Sequence, residues 1–159
     1  MASLIAYYSR AGENYFGGSY RRIPVGNTEQ VANMLAQLTG GDRFHIQQKV
    51  PYSDDYQACV AQARQDWQDK ERPEVVGLPA NYCGTMPMAV YTFLEHYDFT
   101  GKTIHPFCTH EGSGLSQTER DIRVAAKGAV VTKGLAIHGS SVAQAEPALE
   151  RWVQEVAKG

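Results

Sequence analysis

Segments of strand character and segments with a helical apolar period take turns along this chain from one end to the other, and few folds accept that order. Residues 3–8 form a short apolar run ending at a polar loop, which reads as a buried strand. Val31, Met34, Leu35 and Leu38 then recur at i, i+3, i+4 and i+7 and stop at Gly40 and Gly41, the pattern of a helix with one buried stripe. Residues 43–47 supply a second strand. Tyr56, Cys59, Val60, Ala63 and Trp67 repeat the helical period behind the capping candidates Ser53, Asp54 and Asp55, and Val90, Phe93, Leu94 and Tyr97 repeat it again. Residues 103–108 make another strand, and Ser116 and Glu119 stand at capping-box spacing for a fourth helix. Residues 130–132 and 135–137 supply the last strand. Leu149, Trp152, Val153 and Val156 close the chain as a helix with Pro147 near its start.

This order predicts an α/β fold, a doubly wound parallel sheet with helices on both faces, and a length of 159 residues predicts one domain over residues 1–159. In such a sheet, ligands bind beyond the carboxyl ends of the strands, where the strand order switches direction. The segments that follow strands are therefore where function is sought.

Bulk properties exclude several classes. A net charge of −2 gives no electrostatic footprint for nucleic acid or an anionic membrane. The N-terminal MASLIAYYS is too short an apolar run to span a membrane and has no basic segment before it, so a soluble cytoplasmic protein is expected. Cys59, Cys83 and Cys108 are odd in number and widely spaced, which argues for free thiols rather than a disulfide framework or a zinc motif. The five histidines show no metal-ligand spacing, and no metal site is expected.

Three post-strand loops carry the chemistry. Sixteen residues separate Ser9 from Gly26, yet Ser9 leaves the first strand while Gly26, Asn27 and Thr28 open the first helix. Two hydroxyls, a side-chain amide and the helix-terminal N–H groups converge there on one point, a place to hold an anion. No Lys or Arg lies between Gly26 and Leu38, so that anion would be held by hydroxyls and amides alone. Asn27 or Thr28 acting merely as a helix cap explains the same residues about equally well. The second loop, NYCGTMP, joins an aromatic, a glycine and a hydroxyl just before a helix: Tyr82 could stack on a planar ligand, and Gly84 would let backbone approach it. Taken alone, it is better read as an ordinary helix-entry turn. The third, CTHEGSG, offers Thr109, His110, Glu111 and Gly112, whose glycines allow backbone groups to line a flat ligand edge; no nucleophile with a base and an orienting group is established there.

These stretches, LIAYYSRAGENY…VGNTEQVANML, VPYSDDYQAC, NYCGTMPMAVYTFLEHYDFTGK, PFCTHEGSG and GLAIHG, together resemble the flavodoxin-like family of FMN proteins, in the right order over nearly the whole chain. The resemblance implies that Ser9, Gly26, Asn27 and Thr28 hold the FMN phosphate and that Arg10 belongs to the cofactor site, while Asn81, Tyr82, Cys83, Gly84 and Thr85, with Thr109, His110, Glu111 and Gly112, flank the isoalloxazine ring. A phosphate monoester carries roughly −1.5 to −2 charges at neutral pH and three strong acceptor oxygens, which amides and hydroxyls can satisfy.

Relative to that family, the chain is short between Pro73 and Gly84, where PEVVGLPANYCG replaces a longer stretch with a full apolar strand. Three outcomes are open: residues 75–78 slide inward as a shortened central strand, a segment is exchanged with a second chain in a dimer, or the domain is flavin-free. The first is favoured, because an empty centre would expose the inner edges of two buried strands. The leading functional expectation is an FMN electron-transfer protein serving redox partner proteins. The alternative is an FMN-dependent NAD(P)H or quinone oxidoreductase, with Tyr82 and His110 bordering a substrate pocket; no second nucleotide motif such as GxGxxG supports it. A phosphate-responsive receiver domain is disfavoured, since Tyr7, Tyr8 and Ser9 provide no acidic cluster for a divalent cation.

Overall fold

The computed structural model describes residues 3–76 and 86–158. They gather into two compact units, one made of residues up to 45, 107–115 and 133 onward, the other of residues 46–106 and 116–132.

In the first unit, strand β1 (Leu4–Tyr7) is followed by an antiparallel hairpin, β2 (Gly12–Phe16) and β3 (Ser19–Ile23), then by helix α1 (Asn27–Thr39) and strand β4 (Asp42–His45). β1 and β4 run parallel, Leu4 opposite Asp42 and Tyr7 opposite His45, so α1 is the crossover that parallel pairing demands. Val31, Ala32 and Leu35 of α1 are buried, and Met34 and Leu38 pack against the same cluster, as the apolar period requires. Gly40 ends the helix in the left-handed region at φ 68°, its N–H returning to the Ala36 carbonyl.

The sixteen-residue connection, expected as a loop, is the β2–β3 hairpin. Its turn is Gly17 and Gly18, at φ 59° and 80°, the two successive positive values that a tight hairpin turn needs and that glycine adopts without steric cost.

The expected single strand over residues 103–108 is two strands. Pro106 lacks the N–H that a continuous ladder would use. On its far side β6 (Phe107–His110) pairs in parallel with β8 (Leu135–His138) within the first unit. A 3-10 helix (Gly139–Gln144) and a terminal helix complete that unit, and its core joins Ile5, Tyr7, Val31, Leu35, Ile137, Val142, Leu149 and Trp152.

The second unit holds helices α2 (Tyr56–Asp69), α3 (Met88–His96) and α4 (Thr118–Ala125) and the short parallel pair β5 (Thr103–Ile104) and β7 (Val130–Val131). The terminal helix of the first unit is α5 (Glu146–Val156), with Pro147 in its first turn. Asp55 caps α2, its Oδ1 accepting the Ala58 N–H at 2.8 Å. α2 has no fully buried residue; Tyr56, Cys59, Val60 and Ala63 are half-buried and Trp67 is 50% exposed, so the expected buried stripe is only partly covered. α3 is the apolar centre of this unit, with Met88, Ala89, Tyr91, Thr92, Phe93 and Leu94 buried. Beneath it Arg72 makes a two-pronged ion pair with Glu95, Nε to Oε2 at 3.1 Å and Nη2 to Oε1 at 2.9 Å, while its guanidinium lies 4.7 Å from the Tyr91 ring centre.

Two further expectations are corrected. No capping box opens α4: Gln117 is the N-cap residue, and Ser116, one position too early, sits in the left-handed region at φ 46°. Of the segment expected as a shortened central strand, residues 77 and 78 lie outside the described residues. Its described half makes a single antiparallel bridge, Val75 with Gln48; Val75 is buried, but Val76 is 55% exposed rather than packed under helices. Among the described residues, no helix is long and apolar enough to cross a membrane.

Candidate functional site

The first unit brings the N-terminal and third-loop candidates together. β1 ends with Tyr7 stacked on His45, ring centres 4.7 Å apart and 13° from coplanar. The His45 Nε2 is 3.3 Å from the Ser9 carbonyl oxygen, which anchors the chain where Ser9 leaves the strand. Burial holds the Tyr7 phenol above its usual pKa, and the Glu29 carboxylate adds to the shift.

Ser9 Oγ accepts the Glu29 N–H at 3.0 Å, capping the first turn of α1 from outside the helix. Gly26, the N-cap residue in extended conformation, supplies no side-chain cap. It is glycine for a spatial reason: a Cβ there would fall on Ser9 Oγ and on the Arg10 carbonyl oxygen. The two ends of the hairpin insert are thus pressed together at the helix N-terminus. The N–H groups of Asn27 and Thr28, first in the helix, have no intrahelical acceptor and carry the positive end of the dipole.

The Thr28 hydroxyl meets the Thr109 hydroxyl at 2.8 Å, tying the first turn of α1 to the end of β6. Arg10 turns its guanidinium to the hairpin, donating to the Glu13 carbonyl, and its own carbonyl accepts from Asn14 Nδ2 at 3.2 Å. His110 Nδ1 accepts the Gly112 N–H at 2.9 Å, which assigns the proton of its neutral ring to Nε2. Gly112 holds φ 136°, open to glycine and strained for any other residue. Burial raises the pKa of the neighbouring Cys108 thiol, which also reaches the Gly114 carbonyl at 3.4 Å. Asn81, Tyr82, Cys83, Gly84 and Thr85 lie outside the described residues.

Sequence reasoning missed Gly17, His138 and Gly139, which gather around the expected loop residue Glu111. Glu111 Oε2 accepts the N–H of Gly17 at the hairpin tip at 2.9 Å, and its Oε1 is 3.7 Å from His138 Nδ1. His138 closes β8, its Nδ1 is 2.8 Å from Ser140 Oγ, and its ring meets that of His110 edge-on at 5.5 Å. A Cβ at Gly139 would collide with Glu111 Oε1 and stand 2.9 Å from Asn27 Nδ2, so this glycine makes room for both. The available signal was the position of the segment after the last strand, which is where such sheets place ligand loops. Among the described residues no cluster of His, Cys, Asp and Glu could hold a metal ion.

A family model described as flavodoxin matches residues 65–156. Two crystal structures are similar over nearly their whole length. One, from Bacteroides uniformis ATCC 8492, is provisionally described as a flavoprotein; it is 24% identical with a TM-score of 0.68, covering 96% of this chain and 98% of that one. The other, from Bacteroides eggerthii DSM 20697 and described in the same way, is 19% identical with a TM-score of 0.63, covering 92% and 96%. At these identities the likeness speaks for the fold. No curated protein matches the chain.

Proposed function

Because the chain belongs to the flavodoxin family, we propose that it binds FMN and carries electrons between redox partner proteins in the cytoplasm. The observation that supports this most is the convergence, in one unit, of Ser9, Gly26, the first turn of α1 and the Thr28–Thr109 hydroxyl pair. These donors suit a phosphate monoester: helix amides and hydroxyls satisfy its oxygens, and glycine at 26 lets the backbone come close. Asn27 adds a side-chain amide. The 109–112 loop and residues 81–85 would flank the isoalloxazine ring, with His110 Nε2–H as a donor.

FMN, when bound, supplies the redox chemistry; the protein's part is to hold it, orient it and tune it. No lysine or arginine lies between Gly26 and Leu38, so the phosphate keeps its charge, and that charge disfavours further negative charge on the flavin. The parallel pairs β1–β4 and β6–β8 support a doubly wound sheet in one flavodoxin-like domain.

Titration of purified apoprotein with FMN, followed by flavin fluorescence and absorbance, tests the proposal. Stoichiometric quenching is expected, and no binding would overturn it. NAD(P)H consumption by the loaded protein would instead indicate a reductase.

A further inference from the structure

Resting on the FMN reading, we propose that the outward face of the β2–β3 hairpin, built on Tyr15, Tyr20 and Arg22 with Arg21 at its edge, is where an acidic redox protein docks to reach the flavin.

The register sorts the hairpin into two faces. Residues opposite each other on antiparallel strands point the same way, so Tyr15 with Tyr20 and Glu13 with Arg22 share one face, while Phe16 with Ser19 and Asn14 with Arg21 share the other. The two are unequally covered. Gly12, Asn14, Phe16 and Ile23 on the second face are half-buried, whereas Tyr15 and Tyr20 are 41% and 51% exposed and Arg22 is exposed beside them.

A two-stranded hairpin is marginal in water by itself, and this one buries no residue completely. It is nevertheless held in place. The Gly17 N–H at its tip donates to Glu111 Oε2 at 2.9 Å, and the Tyr15 and Tyr20 rings meet edge to face with centres 5.3 Å apart. Arg21 is set as well, its Nε donating to Ser19 Oγ at 3.1 Å and its guanidinium lying 5.2 Å from the Phe16 ring centre. Tyrosine and arginine are the residues that dominate binding energy at protein interfaces, and side chains fixed beforehand lose little freedom when a partner arrives.

Charge selects the partner. Residues 9–25 carry Arg10, Arg21 and Arg22 against Glu13, a surplus of two positive charges in a chain whose net charge is −2. A nucleic acid or an anionic membrane spreads negative charge widely and would also meet the acidic remainder of the chain. A protein with a compact acidic patch meets the hairpin alone. Glu111, which holds the tip, belongs to the 109–112 loop proposed to flank the isoalloxazine ring, so a partner seated on the hairpin stands beside the flavin.

The test measures by calorimetry the association of a plant-type [2Fe–2S] ferredoxin, a small acidic redox protein, with the parent, with Arg21→Gln plus Arg22→Gln, with Arg21→Lys plus Arg22→Lys, and with Tyr20→Ala. The parent is expected to bind at about 0.01 M salt and to lose most of its affinity at about 1 M, as the Debye length shrinks from about 30 Å to about 3 Å. The glutamine pair is expected to weaken binding at low salt roughly tenfold with FMN affinity unchanged, and the lysine pair, which keeps the charge, to retain most of it. Tyr20→Ala should weaken binding at both salt concentrations, because it removes contact rather than charge. Binding indifferent to salt, or equal in the parent and the glutamine pair, overturns the docking face and leaves the FMN reading standing. Tighter association with vesicles of anionic phospholipid than with ferredoxin also overturns it, by assigning the arginines to a membrane surface. A parent that takes up no FMN overturns the FMN reading and the flavin-directed docking together.

Discussion

Thr28 and Thr109 stand 81 positions apart in sequence, and their hydroxyl oxygens are 2.8 Å apart. Because this bond joins the two loops proposed to hold the cofactor, its loss acts on binding as well as on folding. Thr28→Ala also removes the hydroxyl proposed to bond the phosphate; it is expected to weaken FMN binding by about 1.5 to 3 kcal/mol, the range for a charge-assisted bond, and to lower apoprotein stability by about 1 kcal/mol. Titration and urea unfolding of the same variant give both numbers. A residue that only caps the helix would show the second loss without the first.

Gly26→Ala places a methyl group on Ser9 Oγ and the Arg10 carbonyl oxygen. Overpacking of this kind costs roughly 1 to 3 kcal/mol, and the displaced groups here are those that present Ser9. Loss of FMN binding in a protein that still folds cooperatively is the expected outcome. Calorimetry of the apoprotein beside a flavin titration checks it.

Glu95 is the partner of a guanidinium whose side chain is 1% exposed. Glu95→Ala leaves the Arg72 charge buried and uncompensated, which is expected to cost about 3 kcal/mol of stability in urea unfolding. Replacing both residues together, Arg72→Met with Glu95→Leu, should recover most of that loss.

His105 is half-buried, with Nδ1 2.9 Å from Thr132 Oγ1, and burial lowers its pKa below the ordinary 6.5. The unfolded chain therefore binds a proton here more readily than the folded one, and stability falls as pH drops through 6.5 toward the lowered value. Urea midpoints of the parent should decline over that interval, and His105→Gln should flatten the decline. An unchanged slope in the variant would assign the pH dependence to other groups.

The helical period of Val31, Met34, Leu35 and Leu38 made α1 legible because a buried stripe has to recur on one face, and Asp55 was legible because a cap acts locally. The meeting of Ser9 with Gly26 followed from strand–helix order. The hairpin was overlooked although Gly17–Gly18 between Tyr15–Phe16 and Ser19–Tyr20 is a recognised turn signal; no buried face announces it, since Tyr15 and Tyr20 stay exposed. Glu111 reaching Gly17 across 94 positions, and Glu111 facing His138, depend on which strands pair, and pairing partners leave no local trace. The break at Pro106 is written in the chain, but the apolar residues on either side of it mask it as one continuous strand.

α2 is held differently from its neighbours: it is capped by Asp55 at one end, closed by Lys70 at φ 58° at the other, and buries no residue completely. Its integrity therefore rests on local bonds more than on the core, which places it at the early-opening end of the molecule's hierarchy of fluctuations. Its amide hydrogens will exchange with deuterated solvent well before those of α1, whose Val31 and Leu35 release their protection only when the core itself comes apart.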